Sequence, residues 1–252
     1  MKISYLICAA GKGTRTKEIS GEIPKPLLKI RGMTLLEHSV RSLPLKRGDQ
    51  VFVIGQKADD LKRLRNEFSV LFPPCEWHWL ELSEFTAGQL QTAEKALDRV
   101  APGNSLAIFN ADSSFSPEGL REALEDPAWE GVIPCSVEPG EAWSFCAVED
   151  GANPKSLRLT SIAEKRRVSG WCSVGFYFFR DQELFRKLAR EELSAPAKGE
   201  FFVSHLYERY LALGKPVRVW PLQGFKAMGS MEQIRTYWGL SLEQMKAEQR
   251  PS

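Results

Sequence analysis

The chain opens on an apolar run, residues 3–10, that passes directly into Gly11-Lys12-Gly13-Thr14-Arg15. A buried strand ending in a glycine turn restricts the fold strongly. Glycines let the backbone reverse tightly and approach a ligand, with the amides of the turn free to face phosphate oxygens. The pattern then repeats. Val51-Phe52-Val53-Ile54 is a second buried strand closed by Gly55, a third is expected near 76–81, and Ser105–Phe109 is another, ending in Asn110-Ala111-Asp112. Between them, Thr34 can cap a helix with Leu35, Leu36, Val40 and Leu43 inward, and residues 58–68 and 87–97 have helical spacing. Strand and helix alternating over the first 110 residues predict a mainly parallel sheet covered on both faces.

The second half is less regular. Strands are expected over 132–137, 144–148, 156–162, 173–179 and 217–220, with few helices between them. Helices are expected from Asp181 to about Glu192, from Phe202 to Leu213 before Gly214, and over 230–248, with a loop at Pro196–Gly199. No internal repeat or long linker divides the chain, so one domain over 1–252 is expected.

Composition excludes several functional classes. Apolar residues make up 43% and charged residues 26%, which is not the balance of a disordered chain. Lys plus Arg total 34 against 32 Asp plus Glu, a net charge of +2, so no dedicated nucleic-acid surface is indicated. No apolar run reaches the roughly 18 residues of a bilayer span, and the first run enters a glycine loop without a cleavage-site context. The five cysteines, at 8, 75, 135, 146 and 172, form no CxxC pair and no disulfide framework. His38, His78 and His205 lack zinc-ligand spacing. A cytoplasmic protein is expected, a monomer or homodimer without membrane or nucleic-acid partners.

Lys25 adds to the glycine turn. It stands between Pro24 and Pro26, which are expected to hold the backbone extended and project the lysine from a stiff support. Leu6-Ile7-Cys8-Ala9-Ala10-Gly11-Lys12-Gly13-Thr14-Arg15, followed by Pro24-Lys25-Pro26-Leu27-Leu28, resembles the signature of the nucleoside-triphosphate:sugar-1-phosphate nucleotidyltransferases and the related small-molecule cytidylyltransferases. The resemblance implies an α/β fold, a Rossmann-like three-layer αβα arrangement with a mixed, mainly parallel sheet. Residues 1–115 would bind nucleotide and residues 116–252 the acceptor. The resemblance also implies a triphosphate wrapped by Ala9, Ala10, Gly11, Lys12, Gly13 and Thr14, with Arg15 and Lys25 as the catalytic phosphate-holding pair.

Further roles follow from the same resemblance. Thr86-Ala87-Gly88, assisted by Gln89, resembles the small-residue motif at the nucleobase, and Ala10 is closer to uridylyl and cytidylyl enzymes than to the deoxythymidine type. Asn110 falls on the nucleotide side, and Asp112, at the end of a buried strand, on the Mg²⁺ ligand. Glu164, Lys165, Gly175 and Glu200 fall on the acceptor side, with Arg166 and Arg167 as a basic cluster for the acceptor phosphate. Phe225-Lys226-Ala227-Met228-Gly229-Ser230 departs from the family pattern at Ala227, where an aspartate would face Asp112 and complete the metal site. That leaves open a metal held by Asp112 and phosphates alone, a substituting carboxylate, an engineered change, or lost activity. The implied reaction is in-line attack of an acceptor phosphate on the α-phosphorus of a nucleoside triphosphate, with pyrophosphate released and no general base needed. A nucleotide-sugar-dependent glycosyltransferase and a non-catalytic nucleotide-binding relative are the alternatives.

Overall fold

The computed structural model describes residues 1–149, 157–196 and 199–250. Among these residues ten strands form one sheet: β1 (Ile3–Cys8), β2 (Gln50–Gln56), β3 (Glu76–Leu82), β4 (Ser105–Asn110), β5 (Gly131–Val137), β6 (Ser144–Val148), β7 (Leu157–Glu164), β8 (Trp171–Ser173), β9 (Phe176–Phe179) and β10 (Val217–Pro221). Their spatial order is β8-β6-β7-β10-β5-β9-β4-β1-β2-β3. The pairs β4–β1, β1–β2 and β2–β3 are parallel, so the strands of the first half all end on one edge. Antiparallel β9 joins this half to β5. Beyond it, β5, β10, β7, β6 and β8 pair in turn, and β8 pairs back onto β5, closing a ring of five strands. Closure leaves that side with few open edges.

Alternation along each strand buries both faces. On β1, Ile3, Tyr5 and Ile7 enter one apolar cluster with Val51, Val53, Phe109 and the helical residues Leu36, Val40 and Phe68. Leu6 enters the other, with Phe52, Ile108, Leu90, Phe185 and Tyr207. This two-sided burial is why the strands read as near-continuous apolar runs. A third cluster ties Leu28, Ile30 and Leu35 to Met228, Ile234, Leu240 and Met245, seating the C-terminal helices on the proline-bearing segment.

Several helices end where their caps dictate. Thr34 Oγ1 accepts from the Glu37 amide and starts Leu35–Arg41, and Asp181 accepts from the Glu183 and Leu184 amides and starts Gln182–Ser194. The expected helix 58–68 is instead two 3₁₀ turns, Lys57–Asp59 and Leu61–Leu64, followed by Arg65–Leu71, because Asp60 takes a left-handed conformation between the turns. The expected helix 230–248 is two. Left-handed Gly239 stops Met231–Trp238, and a capping box of Ser241 with Gln244 starts Leu242–Glu248. The expected strand 173–179 splits into β8 and β9 because Gly175, at φ +83°, turns the chain between them. The other two expected helices are shorter, Gln89–Glu94 and His205–Ala212, and an unanticipated one runs over Leu120–Glu125. Ser156, Ala197 and Lys198 lie outside the described residues. No helix among the described residues is long and apolar enough to cross a membrane.

Candidate active site

The parallel strands β1, β2, β3 and β4 deliver their C-terminal loops to one edge of the sheet, where ligands of open α/β sheets bind. A cleft of about 680 Å³ lies there. It collects Ala9, Ala10, Gly11, Lys12, Gly13, Thr14 and Arg15 from the loop after β1, Lys25, Thr86, Ala87, Gly88 and Gln89, Asn110 and Asp112 from the end of β4, and Glu200. Pro26, Cys8, Phe85, Thr92 and Gly229 also line it without having been singled out as site residues. Phe85 adjoins the small-residue motif, which was the available signal for it.

Two glycines allow the charged groups to converge. Gly13, at φ +63°, starts the 3₁₀ turn Thr14–Thr16, and a Cβ there would stand 3.0 Å from Lys25 Cβ. Lys25 itself is in a 3₁₀ turn, Lys25–Leu27, with the Leu28 amide donating to the Lys25 carbonyl at 3.1 Å; only Pro24 before it is extended. The expectation of an extended segment is thereby corrected. Lys25 Nζ donates to Asp112 Oδ2 at 2.5 Å and to the Gly229 carbonyl at 3.3 Å. A Cβ at Gly229 would lie 3.3 Å from Asp112 Oδ2 and 3.6 Å from an Arg15 nitrogen, so this strand of backbone sits directly under the three charges. Burial raises the Asp112 carboxyl, but the Lys25 and Arg15 charges outweigh it and hold it below the usual carboxylate range. The result is one carboxylate bonded to Lys25 and lying within the field of Arg15.

The opposite wall is built from backbone. Gly88, at φ +136°, lies against residue 201, whose amide donates to the Ala87 carbonyl at 2.7 Å while its carbonyl accepts from the Leu90 amide at 3.1 Å. These bonds bring Glu200 to the cleft. Thr86 and Thr92 hydroxyls are 2.5 Å apart, the Ala87 amide donates to Gln91 Oε1 at 2.6 Å, and Lys12 Nζ stands 5.4 Å from the Phe85 ring centre. The Gln89 Nε2 is buried at this wall and has no hydrogen-bond partner among the described residues. The Cys8 thiol is pushed far up by burial and stays protonated.

Three expected acceptor residues do not line this cleft. Gly175 is set behind Asn110: its carbonyl accepts from the Asn110 amide at 3.1 Å, and a Cβ there would fall 2.3 Å from Asn110 Nδ2. Glu164 accepts from the hydroxyls of Ser144 and Ser204, and Lys165, at φ +52°, places its ammonium 4.8 Å from the Phe202 ring centre. Arg167 donates to the Glu138 and Gly140 carbonyls and covers the Phe145 ring, which ties it to structure rather than leaving it open for an acceptor phosphate; Arg166 is exposed.

The donor set bears on the metal. Among the described residues no group of three or more His, Cys, Asp or Glu side chains is placed to hold an ion. The short strand Lys226–Ala227 pairs with Ser113–Ser114, and the Met228 amide donates to the Asp112 carbonyl at 2.9 Å. Residue 227 is therefore beside Asp112, and what fills the place is a methyl group only 2% exposed. Mg²⁺ keeps several waters and is commonly held by one or two carboxylates plus substrate phosphates. Asp112, a single carboxylate at the strand end, fits an ion held jointly with phosphates.

The profile of the MobA-like NTP transferase domain matches residues 5–175, which include the glycine turn, Lys25, the Thr86-Ala87-Gly88 wall and Asp112. The chain belongs to this family. Among similar curated proteins are the bifunctional protein GlmU of Streptococcus agalactiae serotype V, 25% identical over 246 residues that make up 91% of this chain and 49% of the relative, and GlmU of Thermotoga maritima, 24% identical over 206 residues, 79% and 42%. The chain thus spans about half the length of the curated relatives it matches. The fold is shared with the nucleoside-diphosphate-sugar pyrophosphorylase from Vibrio cholerae RC9, at TM-score 0.80 and 22% identity over 94% of this chain and all of that one. It is also shared with the inositol-1-phosphate CTP transferase from Thermotoga maritima, at TM-score 0.73 and 16% identity over 98% and 96%. These neighbours carry the same α/β mixed-sheet architecture.

Proposed function

We propose that this MobA-like domain moves a nucleoside monophosphate from a nucleoside triphosphate, CTP or UTP favoured, to the phosphate of a phosphorylated sugar or other small metabolite, releasing pyrophosphate. The observation that carries this reading is the convergence of Arg15, Lys25 and Asp112 on one end of a cleft whose other wall is the uncharged Thr86-Ala87-Gly88 backbone. Arg15 and Lys25 at one end suit phosphates, and the Thr86-Ala87-Gly88 backbone at the other, flanked by Lys12 and Glu200, offers a surface that a base can approach closely. The V. cholerae neighbour, a pyrophosphorylase, and the T. maritima one, a CTP transferase acting on inositol-1-phosphate, support the reaction class and an acceptor that is a small phosphate.

The chemistry asks little of the protein beyond alignment and charge. An acceptor phosphate oxygen is already a nucleophile at neutral pH, so no general base is required. Lys25 would leave Asp112 for the triphosphate and, with Arg15, hold the phosphates in line and stabilise charge as it builds. Magnesium, held by Asp112 and the phosphates, would supply further charge neutralisation. Glu200, which lines the cleft, would meet the acceptor in this reading. The reading is tested by titrating the four triphosphates in a calorimeter and by screening each with sugar phosphates and small phosphorylated alcohols for pyrophosphate release. CTP or UTP is expected to bind at least about tenfold tighter than ATP, a difference of roughly 1.4 kcal/mol. A preference for a purine would contradict the base assignment, and nucleoside diphosphate released from a nucleotide-sugar would favour a glycosyltransferase.

Ala227 offers a test of the metal site. Ala227→Asp adds a second carboxylate beside Asp112, and two close carboxylates repel unless a cation lies between them. The variant is expected to bind Mg²⁺ about tenfold more tightly in the presence of nucleotide, about 1.4 kcal/mol. It should melt lower than the parent without metal, because a carboxylate at a buried position lacks a partner there. Unchanged magnesium affinity by calorimetry would show that a side chain at 227 does not reach the ion.

A further inference from the structure

The two walls of the cleft are joined by a residue that does not line it. Gln56 is the last residue of β2 and is 8% exposed. Its strand lies between β1 and β3, whose C-terminal loops form the phosphate side and the base side of the cleft. Gln56 Nε2 donates to the Ala10 carbonyl at 3.1 Å and to the Glu84 carbonyl at 3.3 Å. A primary amide nitrogen has two N–H groups, and here each serves a different loop. The Ala9 amide, which donates to the Ile54 carbonyl at 2.8 Å, pins the start of the glycine turn to the same strand.

We propose that Gln56 is a positioning residue that sets the separation between the glycine turn and the Glu84–Gly88 loop, and so matches the cleft to the length of a nucleoside triphosphate. The inference rests on the nucleotidyl-transfer reading above. Gln56 is not among the residues that line the cleft; it acts by holding two carbonyls, one on each loop, at a fixed spacing before the ligand arrives. Such pre-organisation lowers the cost of ordering both loops around a ligand that spans them. A ligand held by one loop alone gains nothing from it.

That difference gives the test. Wild type and Gln56→Met, which keeps the length and loses both donors, are titrated with inorganic tripolyphosphate and with CTP and UTP. Gln56→Met is expected to weaken the better triphosphate about tenfold while tripolyphosphate changes by less than about twofold, and KM for the triphosphate rises about tenfold with kcat held within about threefold. Equal losses on both probes would show a general structural role, and no loss on either would show no role; both overturn the proposal. Should Gln56→Met fail to fold, Gln56→Leu, which is uncharged and also lacks both donors, replaces it. A wild-type protein that binds tripolyphosphate but neither CTP nor UTP would count against the proposed function instead, and is distinguishable from every outcome above.

Discussion

Lys25→Ala is expected to slow pyrophosphate release at least about 100-fold, the loss typical of removing a well-placed charged donor from a reacting oxyanion. The lysine is held by a proline-flanked 3₁₀ turn against Gly13 and Gly229, so its ammonium is presented rather than left to wander. Its partner in the free protein is Asp112, and neither side chain is fully buried, at 14% and 23% exposure. Both groups are nonetheless largely shielded from water, so removing the lysine leaves Asp112 short of a partner and the melting temperature of the variant should fall. Burial would then act on Asp112 with only Arg15 opposing it, and its carboxyl would rise from its present depressed position. Steady-state rates on the best donor and acceptor pair, read beside a thermal melt, check this. A near-parental rate would remove Lys25 from the chemistry.

Gly88→Ala is expected to cost as much for a different reason. A Cβ at residue 88 would stand 2.4 Å from the Phe201 carbonyl oxygen and 2.7 Å from its nitrogen, both backbone atoms that cannot swing aside. The position also holds φ at +136°, which an L side chain rarely adopts. Relief requires parting the Ala87–Phe201 and Leu90–Phe201 hydrogen bonds, which would separate the base-side wall from the segment that brings Glu200 to the cleft. The variant should lose about 1–3 kcal/mol of stability to backbone strain and at least about 100-fold in kcat/KM, equivalent to about 2.7 kcal/mol of transition-state stabilisation. Denaturant melts and kinetics on the same preparation measure both. Unchanged kinetics would mean that the two segments do not act together in catalysis.

The convergence of charged residues at one end of the cleft was legible in the sequence because its signals are local. A strand running into Gly11 and Gly13, a lysine flanked by prolines, and Asn110 and Asp112 closing another apolar strand each announce themselves within a few residues. The parallel topology then had to bring them to one edge. The acceptor side was less legible because its geometry depends on distant pairings. Whether Glu164 faces a ligand or the Ser144 and Ser204 hydroxyls is decided by the ring of strands around β7, and whether Gly175 lines the cleft or admits Asn110 is decided by the turn between β8 and β9. Gln56 carried no signal, since a glutamine at a strand end is ordinary until two loops are seen on either side of it. The broken helices illustrate the same division. The Gly239 and Ser241 stop and start were written in residue types that favour helix ends, whereas the left-handed turn at Asp60 follows from packing that spacing alone does not encode.

The central claim is transfer of the α-phosphorus of a nucleoside triphosphate to a phosphate acceptor, and ³¹P NMR of a complete reaction tests it most directly. The donor is the best-binding triphosphate, the acceptor the best from the pyrophosphate screen, and magnesium is present throughout. The account predicts that the three donor resonances decline together, that free pyrophosphate appears, and that an equal amount of a new pyrophosphate-linked product grows in, joining the nucleoside phosphate to the acceptor phosphate. Lys25→Ala run in parallel should leave the donor nearly intact over the same interval. Nucleoside diphosphate or inorganic phosphate as the released product, with the acceptor resonance unchanged, would contradict the account.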